Sequence, residues 1–102
     1  MLAPIITNNL SRIKDICQKH RVKELYVFGS VTTEKFNAES DIDFLYIMND
    51  VPLEKAADNF FGLLWEFEGL LQRKIDMVPY ANMRNRIFIE EVNNTKQLLY
   101  KS

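Results

Sequence analysis

Two aspartates separated by one residue are the first feature of this sequence that could do chemistry. Asp41 and Asp43 open the stretch Asp-Ile-Asp-Phe-Leu-Tyr-Ile-Met, which has the apolar content of a strand. Side chains alternate along a strand, so both carboxylates are expected on one face and Ile42 on the other. Because neighbouring acids repel unless a cation neutralises them, this pair predicts a site for Mg²⁺ or Mn²⁺. The alternative is a turn or cap at the strand entrance with solvated side chains.

A third acid, Asp76, lies within residues 74–78, Lys-Ile-Asp-Met-Val, which predict a strand in the core. Burying an unpaired carboxylate is costly, so Asp76 needs a partner. If its strand lies beside the other two aspartates, the three acids form one site. Two metal ions about 3.5–4 Å apart can there assist phosphoryl or nucleotidyl transfer, and Asp76 can accept the proton of an attacking hydroxyl. The alternative is a structural ion pair with Arg73 or Lys74.

A glycine and a serine follow a predicted strand that ends at Phe28, and ten residues separate them from the first acid. Gly29 permits a turn in which backbone N–H groups approach a ligand closely, and the hydroxyl of Ser30 can bond a phosphate oxygen. The pair is a candidate phosphate cradle. For Ser30 the alternative is a turn residue that bonds its own backbone.

These motifs together resemble the small nucleotidyltransferases of the polymerase beta superfamily, often called the MNT type. The resemblance rests on Gly29-Ser30, on the sequence Ser-Asp-Ile-Asp-Phe-Leu at residues 40–45, and on Ile75-Asp76 in a later strand. It extends to the C-terminal stretch from Asn85 to Tyr100, so it covers almost the whole chain.

The resemblance implies a metal-dependent enzyme that transfers a nucleoside monophosphate, most often AMP from ATP, to an acceptor hydroxyl with two Mg²⁺ ions. It implies that Asp41 and Asp43 bind metal, that Asp76 assists the acceptor, and that Gly29 and Ser30 contact the triphosphate. Bacterial relatives commonly act as the antitoxin of a toxin–antitoxin pair beside a HEPN-type partner, which they can modify by adding AMP. A HEPN-type protein is therefore the implied partner and acceptor.

One departure from the family pattern weakens the case for turnover. Relatives frequently carry an Arg-Gly pair shortly after the Gly-Ser pair, whereas this chain has Thr32, Thr33 and Glu34 there. The change removes an arginine fork for phosphates and adds a negative charge, for which Lys35 is the nearest compensation. The alternative function is a catalytically weak nucleotide-binding antitoxin module that acts by binding a HEPN-type partner.

The elements that must position these residues follow from hydrophobic spacing and from Pro and Gly. The expected fold class is α/β (α+β), a small mixed β-sheet with helices packed on it, nucleotidyltransferase-like, in a single domain over residues 1–102. The first half of the chain is expected to form a helix over 4–20, a strand over 24–28, a surface connection over 31–40 and a strand over 41–48. The second half is expected to form a helix capped near Asn49 or Asp50 that runs to residue 71, a strand over 72–80 that ends at Pro79, a helix over 84–93 and an edge strand over 96–101.

Composition restricts the class of protein. With 13 basic and 14 acidic residues among 102, the net charge of about −1 gives no global field for nucleic acid or an anionic membrane. We expect neither partner, although Arg84 or Arg86 could contact phosphate or RNA. The lone Cys17 is expected in the core and, with no leader or spanning segment apparent, the protein is expected in the reducing cytoplasm.

Two further features concern packing. His20 follows the first predicted helix, where a cation is favourable at the helix C-terminus, and no catalytic role is expected for it. The long helix has an apolar arc wider than half its circumference, edged by Phe61 and Trp65. Core packing explains most of this arc, but an exposed aromatic edge also suits a homo-oligomer or a helical partner protein.

Overall fold

A computed structural model describes residues 2–32, 36–37, 39–82 and 85–102, apart from the side chains of Ser30 and Asn82. It contains a short 3₁₀ turn directly after the first strand and another directly after the third, at Gly29–Thr32 and Tyr80–Asn82. The remaining elements, in chain order, are α1 (Pro4–Thr7), α2 (Leu10–Lys19), β1 (Val22–Phe28), β2 (Ile42–Met48), α3 (Leu53–Leu71), β3 (Ile75–Pro79), α4 (Arg86–Thr95) and β4 (Gln97–Lys101).

The four strands form one mixed sheet in the order β3-β2-β1-β4. β1 is antiparallel to both β2 and β4, whereas β2 and β3 are parallel and are joined through α3. Parallel strands need a long crossover connection, and the 19-residue α3 supplies it. The expected α/β class with a small mixed sheet is confirmed, and β4 is the edge strand that the sequence predicts.

The sheet separates two hydrophobic clusters. The larger cluster joins α1, α2 and α3 to one face of the sheet, with Phe44 and Phe67 in ring contact at its centre. The smaller cluster lies on the other face, where Val92 of α4 packs against Phe28 and Leu45. Burying each large apolar side chain contributes roughly 1.5–3 kcal/mol, so both clusters hold their helices against the sheet.

The prediction of one helix over residues 4–20 is wrong, because α1 ends at Thr7 and α2 begins at Leu10. Asn9 has a non-helical backbone and donates its side-chain amide to the carbonyl oxygen of Ile5 at 2.8 Å. An asparagine side chain competes in this way with the helical backbone hydrogen bonds. The apolar spacing of the two helices is nevertheless preserved, because Ile6, Ile13 and the predicted core residue Cys17 are all buried.

Several other predicted boundaries are also wrong. The third strand begins at Ile75 rather than at residue 72, because Gln72 ends α3 in the left-handed conformation with φ of 53°. Pro52, not Asn49 or Asp50, occupies the N-cap position of α3. The last helix begins at Arg86, where Asn85 accepts hydrogen bonds from the backbone N–H groups of residues 87 and 88.

His20 joins α2 to α3, beyond the helix-end role expected from its position. Its Nε2 bonds a carboxylate oxygen of Glu66, and its Nδ1 lies 3.3 Å from Oδ1 of Asn59. Asn59 in turn donates its side-chain amide to the backbone oxygen of His20 at 2.7 Å. These contacts tie the C-terminal end of α2 to α3. Gly62 leaves the room for the ring, since a Cβ there would lie 2.9 Å from Cε1 of His20.

We expect Glu66→Gln to flatten the acid limb of the stability profile. Hydrogen bonds from His20 and then from Lys19 lower the pKa of Glu66 below its ordinary 4.5. The folded-state pKa is depressed, so the stabilisation is complete above 4.5 and is lost as the pH falls through the lower folded-state value. Urea unfolding measured between pH 7 and pH 3 checks this, with Glu68→Gln in the same helix as control. An unchanged slope in Glu66→Gln would contradict it.

Candidate active site

Three strand ends meet at one end of the sheet. β1 leaves the sheet at Phe28, while β2 enters it at Ile42 and β3 at Ile75. In the paired register Phe28 lies opposite Asp43, and Asp43 lies opposite Asp76. The glycine turn and two of the predicted acids therefore belong to one row across the sheet.

Asp43 and Asp76 face the same side of the sheet as α4. Ile42 and Phe44, their neighbours in β2, are buried in the larger cluster, so alternation turns Asp43 to the opposite face. This confirms the predicted alternation of Ile42, Asp43 and Phe44, whereas Asp41 lies before β2 and not within the strand. β3 contributes Ile75 to the core, as expected, but it is an edge strand and Asp76 on its other face is exposed, so the acid is not buried there.

The pKa of Asp43 reflects its burial and the acids around it. Burial raises the pKa of Asp43 to about 6, with further contributions from the charges of Asp76 and Asp41 and from a hydrogen bond with Asp76. The folded chain thus holds negative charge at this place at a cost that a cation would remove.

The donor chemistry at this end of the sheet fits a hard divalent cation. The acids offer carboxylate oxygens alone, the ligands that Mg²⁺ and Mn²⁺ prefer. Asp43 and Asp76 are direct neighbours, whereas Asp41 precedes β2 and acts on Asp43 through its charge. Within the described ranges, no group of three or more Asp, Glu, His or Cys side chains is arranged around a common ion position. The structure therefore brings together a pair of acids with the third nearby.

Gly29 is required by both its backbone and its surroundings. Its φ of +77° lies in the left-handed region, which side chains with a Cβ rarely adopt. A Cβ on this residue would lie 2.5 Å from Oδ2 of Asp43. The glycine thus allows the turn to lie directly against the acid, as a phosphate cradle beside a metal site would need. The side chain of Ser30, the second cradle residue predicted, lies outside the described part of the structure, as do Thr33, Glu34 and Lys35.

Thr95 is a residue at this site that sequence reasoning missed. The backbone N–H of Gly29 points at Thr95 Oγ1, 3.5 Å away, and that hydroxyl donates to the carbonyl oxygen of Glu91 at 3.0 Å. The end of α4 therefore occupies the first N–H of the turn, and a phosphate would have to use the N–H groups that follow. No local signal reveals this contact, since 66 residues separate its partners.

Arg73 holds the backbone before Asp41, a role that the sequence did not reveal. Its Nη1 donates to the carbonyl oxygens of Asn37 at 2.9 Å and Ser40 at 2.7 Å, and its guanidinium lies over the ring of Phe36. These bonds hold the backbone immediately before Asp41. The alternative of an ion pair between Asp76 and Arg73 or Lys74 is not found in the described part of the chain.

Arg73→Ala is expected to lower the melting temperature by roughly 4–8 °C, the effect of losing about 1 kcal/mol of hydrogen bonding in a domain of this size. Because the segment before Asp41 is then released, Mg²⁺ should also bind more weakly. Differential scanning calorimetry and Mg²⁺ titration measure both effects. Arg12→Ala, an exposed arginine on α2, is the control. Equal melting temperatures for the two variants would show that the Arg73 bonds contribute nothing.

The sequence as a whole matches one protein family. The model of the family described as "Polymerase beta, Nucleotidyltransferase" matches residues 11–102, which include every residue of the site. The chain belongs to this family. The resemblance inferred from Gly29, Asp41, Asp43 and Asp76 is thereby confirmed, and nucleotidyltransferase is the class of the protein. No curated protein sequence matches the chain.

Solved structures share the fold of this nucleotidyltransferase at low sequence identity. A protein described as a minimal nucleotidyltransferase is 23% identical with a TM-score of 0.75, and the match covers 95% of each chain. A toxin–antitoxin structure with AMP-PNP is 19% identical with a TM-score of 0.69, covering 92% of this chain and 74% of that one.

A third structure contains a tri-AMPylated HEPN toxin from Shewanella oneidensis in complex with an MNT antitoxin. It is 16% identical with a TM-score of 0.64, covering 94% of this chain and 72% of that one. Identities this low establish the shared fold alone.

None of the helices described for the present chain is both long enough and apolar enough to cross a membrane.

Proposed function

We propose that this chain is a metal-dependent nucleotidyltransferase that transfers AMP from ATP to a hydroxyl group of a HEPN-type partner protein. The observation that carries the proposal is the meeting of the Gly29 turn with the Asp43–Asp76 pair at one end of the sheet. A glycine turn able to approach phosphates and acids able to hold their counter-ions are the two parts that nucleotidyl transfer requires.

Asp41, Asp43 and Asp76 are the residues that would hold Mg²⁺, with Mn²⁺ as the alternative ion. When bound, the metal supplies positive charge that offsets the triphosphate and the charge developing during transfer. Of the acids, Asp43 is partly buried and Asp76 is exposed. Asp43 is thus better placed to hold a ligand fixed, while Asp76 is open to an approaching acceptor and can take the proton of its hydroxyl.

The phosphates would lie along the turn that begins at Gly29. The N–H of Gly29 is directed at Thr95, so we assign phosphate binding to the N–H groups of Ser30 and Val31 together with the Ser30 hydroxyl. Val31 is buried, so its side chain anchors the turn on the sheet. Gly29, which has no side chain, lets the start of the turn lie close to Asp43.

The choice of ATP and of a HEPN-type acceptor is supported by the structural neighbours. One contains AMP-PNP, and another pairs an MNT antitoxin with a HEPN toxin that carries three AMP groups. We extend that chemistry to this chain as part of the proposal.

The test uses ATP labelled at either the α or the γ phosphorus, Mg²⁺ and the product of the gene adjacent to this one, which the proposal expects to be a HEPN-type protein. Transfer of AMP retains the α phosphorus and releases the γ phosphorus, so only the α label should appear on the partner. Asp41→Ala and Asp76→Ala should abolish labelling, whereas Asp15→Asn, an exposed acid on α2, should not. Label from the γ position, or labelling that persists in Asp76→Ala, would overturn the proposal.

The alternative function is a catalytically weak nucleotide-binding antitoxin module. It is favoured by Thr33 and Glu34, where relatives often carry Arg-Gly. Under this alternative the partner is never labelled, yet it binds wild type, Asp41→Ala and Asp76→Ala with equal affinity. The same experiment therefore separates the two functions.

A further inference from the structure

One side of α3 presents an apolar row to solvent. Every fourth residue from the start of the helix, Leu53, Ala57, Phe61, Trp65 and Gly69, is exposed. The exposed fractions are 90% for Leu53, 46% for Phe61 and 66% for Trp65. Residues at this spacing lie along one ridge of a helix, and we call the set the α3 ridge.

The core does not account for the α3 ridge. The inward side of α3 is already occupied by Leu63, Phe67 and Leu71, all buried against the sheet and α2. On the outer side Phe61 and Trp65 stack on each other with ring centroids 5.8 Å apart and an interplanar angle of 28°. Paired, exposed aromatic rings of this kind are enriched at protein interfaces.

A groove of about 550 Å³ borders the α3 ridge. The ridge residues Ala57 and Phe61 form part of its wall, and Tyr46, Met48 and Phe60 form much of the rest. A helix laid along the ridge could therefore place a large apolar side chain into the groove. In helix pairs the ridges of one helix ordinarily pack into the grooves of the other.

Acidic side chains accompany the ridge. Glu54, Asp58 and Glu68 each lie three residues from a ridge member, which makes them its neighbours on the helix surface. Residues 50–71 contain five acids and a single base, Lys55. A second copy of this chain would bring acids against acids, so charge favours a basic partner over self-association.

We propose that the α3 ridge binds an amphipathic helix of a partner protein whose apolar stripe is flanked by lysine or arginine. The apolar stripe would cover Phe61 and Trp65, and the basic flanks would meet Glu54, Asp58 and Glu68. This surface is separate from the nucleotide site, because α3 packs on the face of the sheet opposite that of Asp43 and Asp76. The proposal is therefore independent of any transfer activity.

Trp65 is the single tryptophan of the chain, so its fluorescence reports directly on the ridge. The probes are two 18-residue amphipathic helical peptides, one of leucine and lysine and a matched one of leucine and glutamate. The lysine peptide should shift Trp65 emission to shorter wavelength and bind at least tenfold more tightly than the glutamate peptide. Phe61→Ser should weaken binding roughly tenfold, while Ile87→Ser, which removes an exposed apolar residue from α4, should not.

Three outcomes would overturn the proposal. They are equal binding of the two peptides, unchanged binding by Phe61→Ser, and sedimentation of the free protein as a dimer that Phe61→Ser dissociates. The last would identify a second copy as the occupant of the ridge. Asp43→Asn should retain peptide binding, so failure of the nucleotidyl-transfer proposal would leave this test intact.

Discussion

Gly29→Ala is expected to eliminate stabilisation by Mg²⁺ and ATP and to lower the melting temperature of the free protein by roughly 5–15 °C. An alanine in the left-handed region costs about 1–2 kcal/mol, and each kcal/mol moves the melting temperature of a domain of this size by several degrees. The new Cβ would also lie 2.5 Å from Oδ2 of Asp43, so the carboxylate has to move out of the row that it shares with Asp76. Thermal unfolding with and without ligand measures both effects.

Gly69→Ala is the matched control for this substitution. Gly69 lies in α3, and nothing stands within 4 Å of the position its Cβ would take. Alanine there should stabilise the protein by roughly 0.5–1 kcal/mol, because glycine is the poorer helix former. The two glycine variants are thus expected to shift the melting temperature in opposite directions. A normal ligand response in Gly29→Ala would show that the turn does not need its close approach to Asp43.

The face on which Asp43 lies could be predicted from sequence because the signal is local, whereas its pairing with Asp76 comes from the register of β2 and β3. Alternation along a strand fixes the faces of residues 42, 43 and 44 relative to one another, and the structure agrees. The helices and strands were likewise recognisable from apolar spacing, and the errors in the prediction lie mainly at the ends of these elements. Those errors have side-chain or backbone causes, such as the Asn9 amide that separates α1 from α2.

What could not be predicted depends on strand order. The residues around Asp76 are as apolar as those of a central strand, yet β3 lies at the edge of the sheet and leaves its acid exposed. The bonds of Arg73 to Asn37 and Ser40 cross more than 30 positions of sequence, and that between Gly29 and Thr95 crosses 66. Such contacts exist only once the sheet has assembled, and no spacing rule contains them.

The wide apolar arc of α3 shows the same division between local and tertiary information. Periodicity predicted an apolar arc wider than half the circumference of α3, but it could not say which of its residues would remain outside the core. Packing decides this, because Phe67 lies under the helix against Phe44 while Trp65, two positions earlier, is exposed. The surface available to a partner is therefore what the core leaves uncovered.

Asp43→Asn is expected to raise the stability of the metal-free protein and to remove its response to Mg²⁺. Burial and the charges of Asp76 and Asp41 raise the pKa of Asp43 to about 6, so at pH 7 the fold has to hold an ionised group that it disfavours. Asparagine carries no charge, and its amide can donate a hydrogen bond to the carboxylate of Asp76. A gain of about 1–2 kcal/mol is expected at pH 7, after allowance for the partial exposure of the site.

Ligand should reverse this order of stability. Wild type saturated to about a hundred times the dissociation constant of Mg²⁺-ATP should gain roughly 2.7 kcal/mol, whereas Asp43→Asn should gain little. The variant is then the more stable protein without ligand and the less stable one with it. Asp15→Asn, which removes an exposed charge from α2, should behave as wild type in both conditions. If Asp43→Asn destabilised the ligand-free protein, the role of Asp43 would be in the fold. If the variant is instead more stable than wild type without ligand and less stable with it, the charge of Asp43 is kept at a cost to stability because the cation requires it.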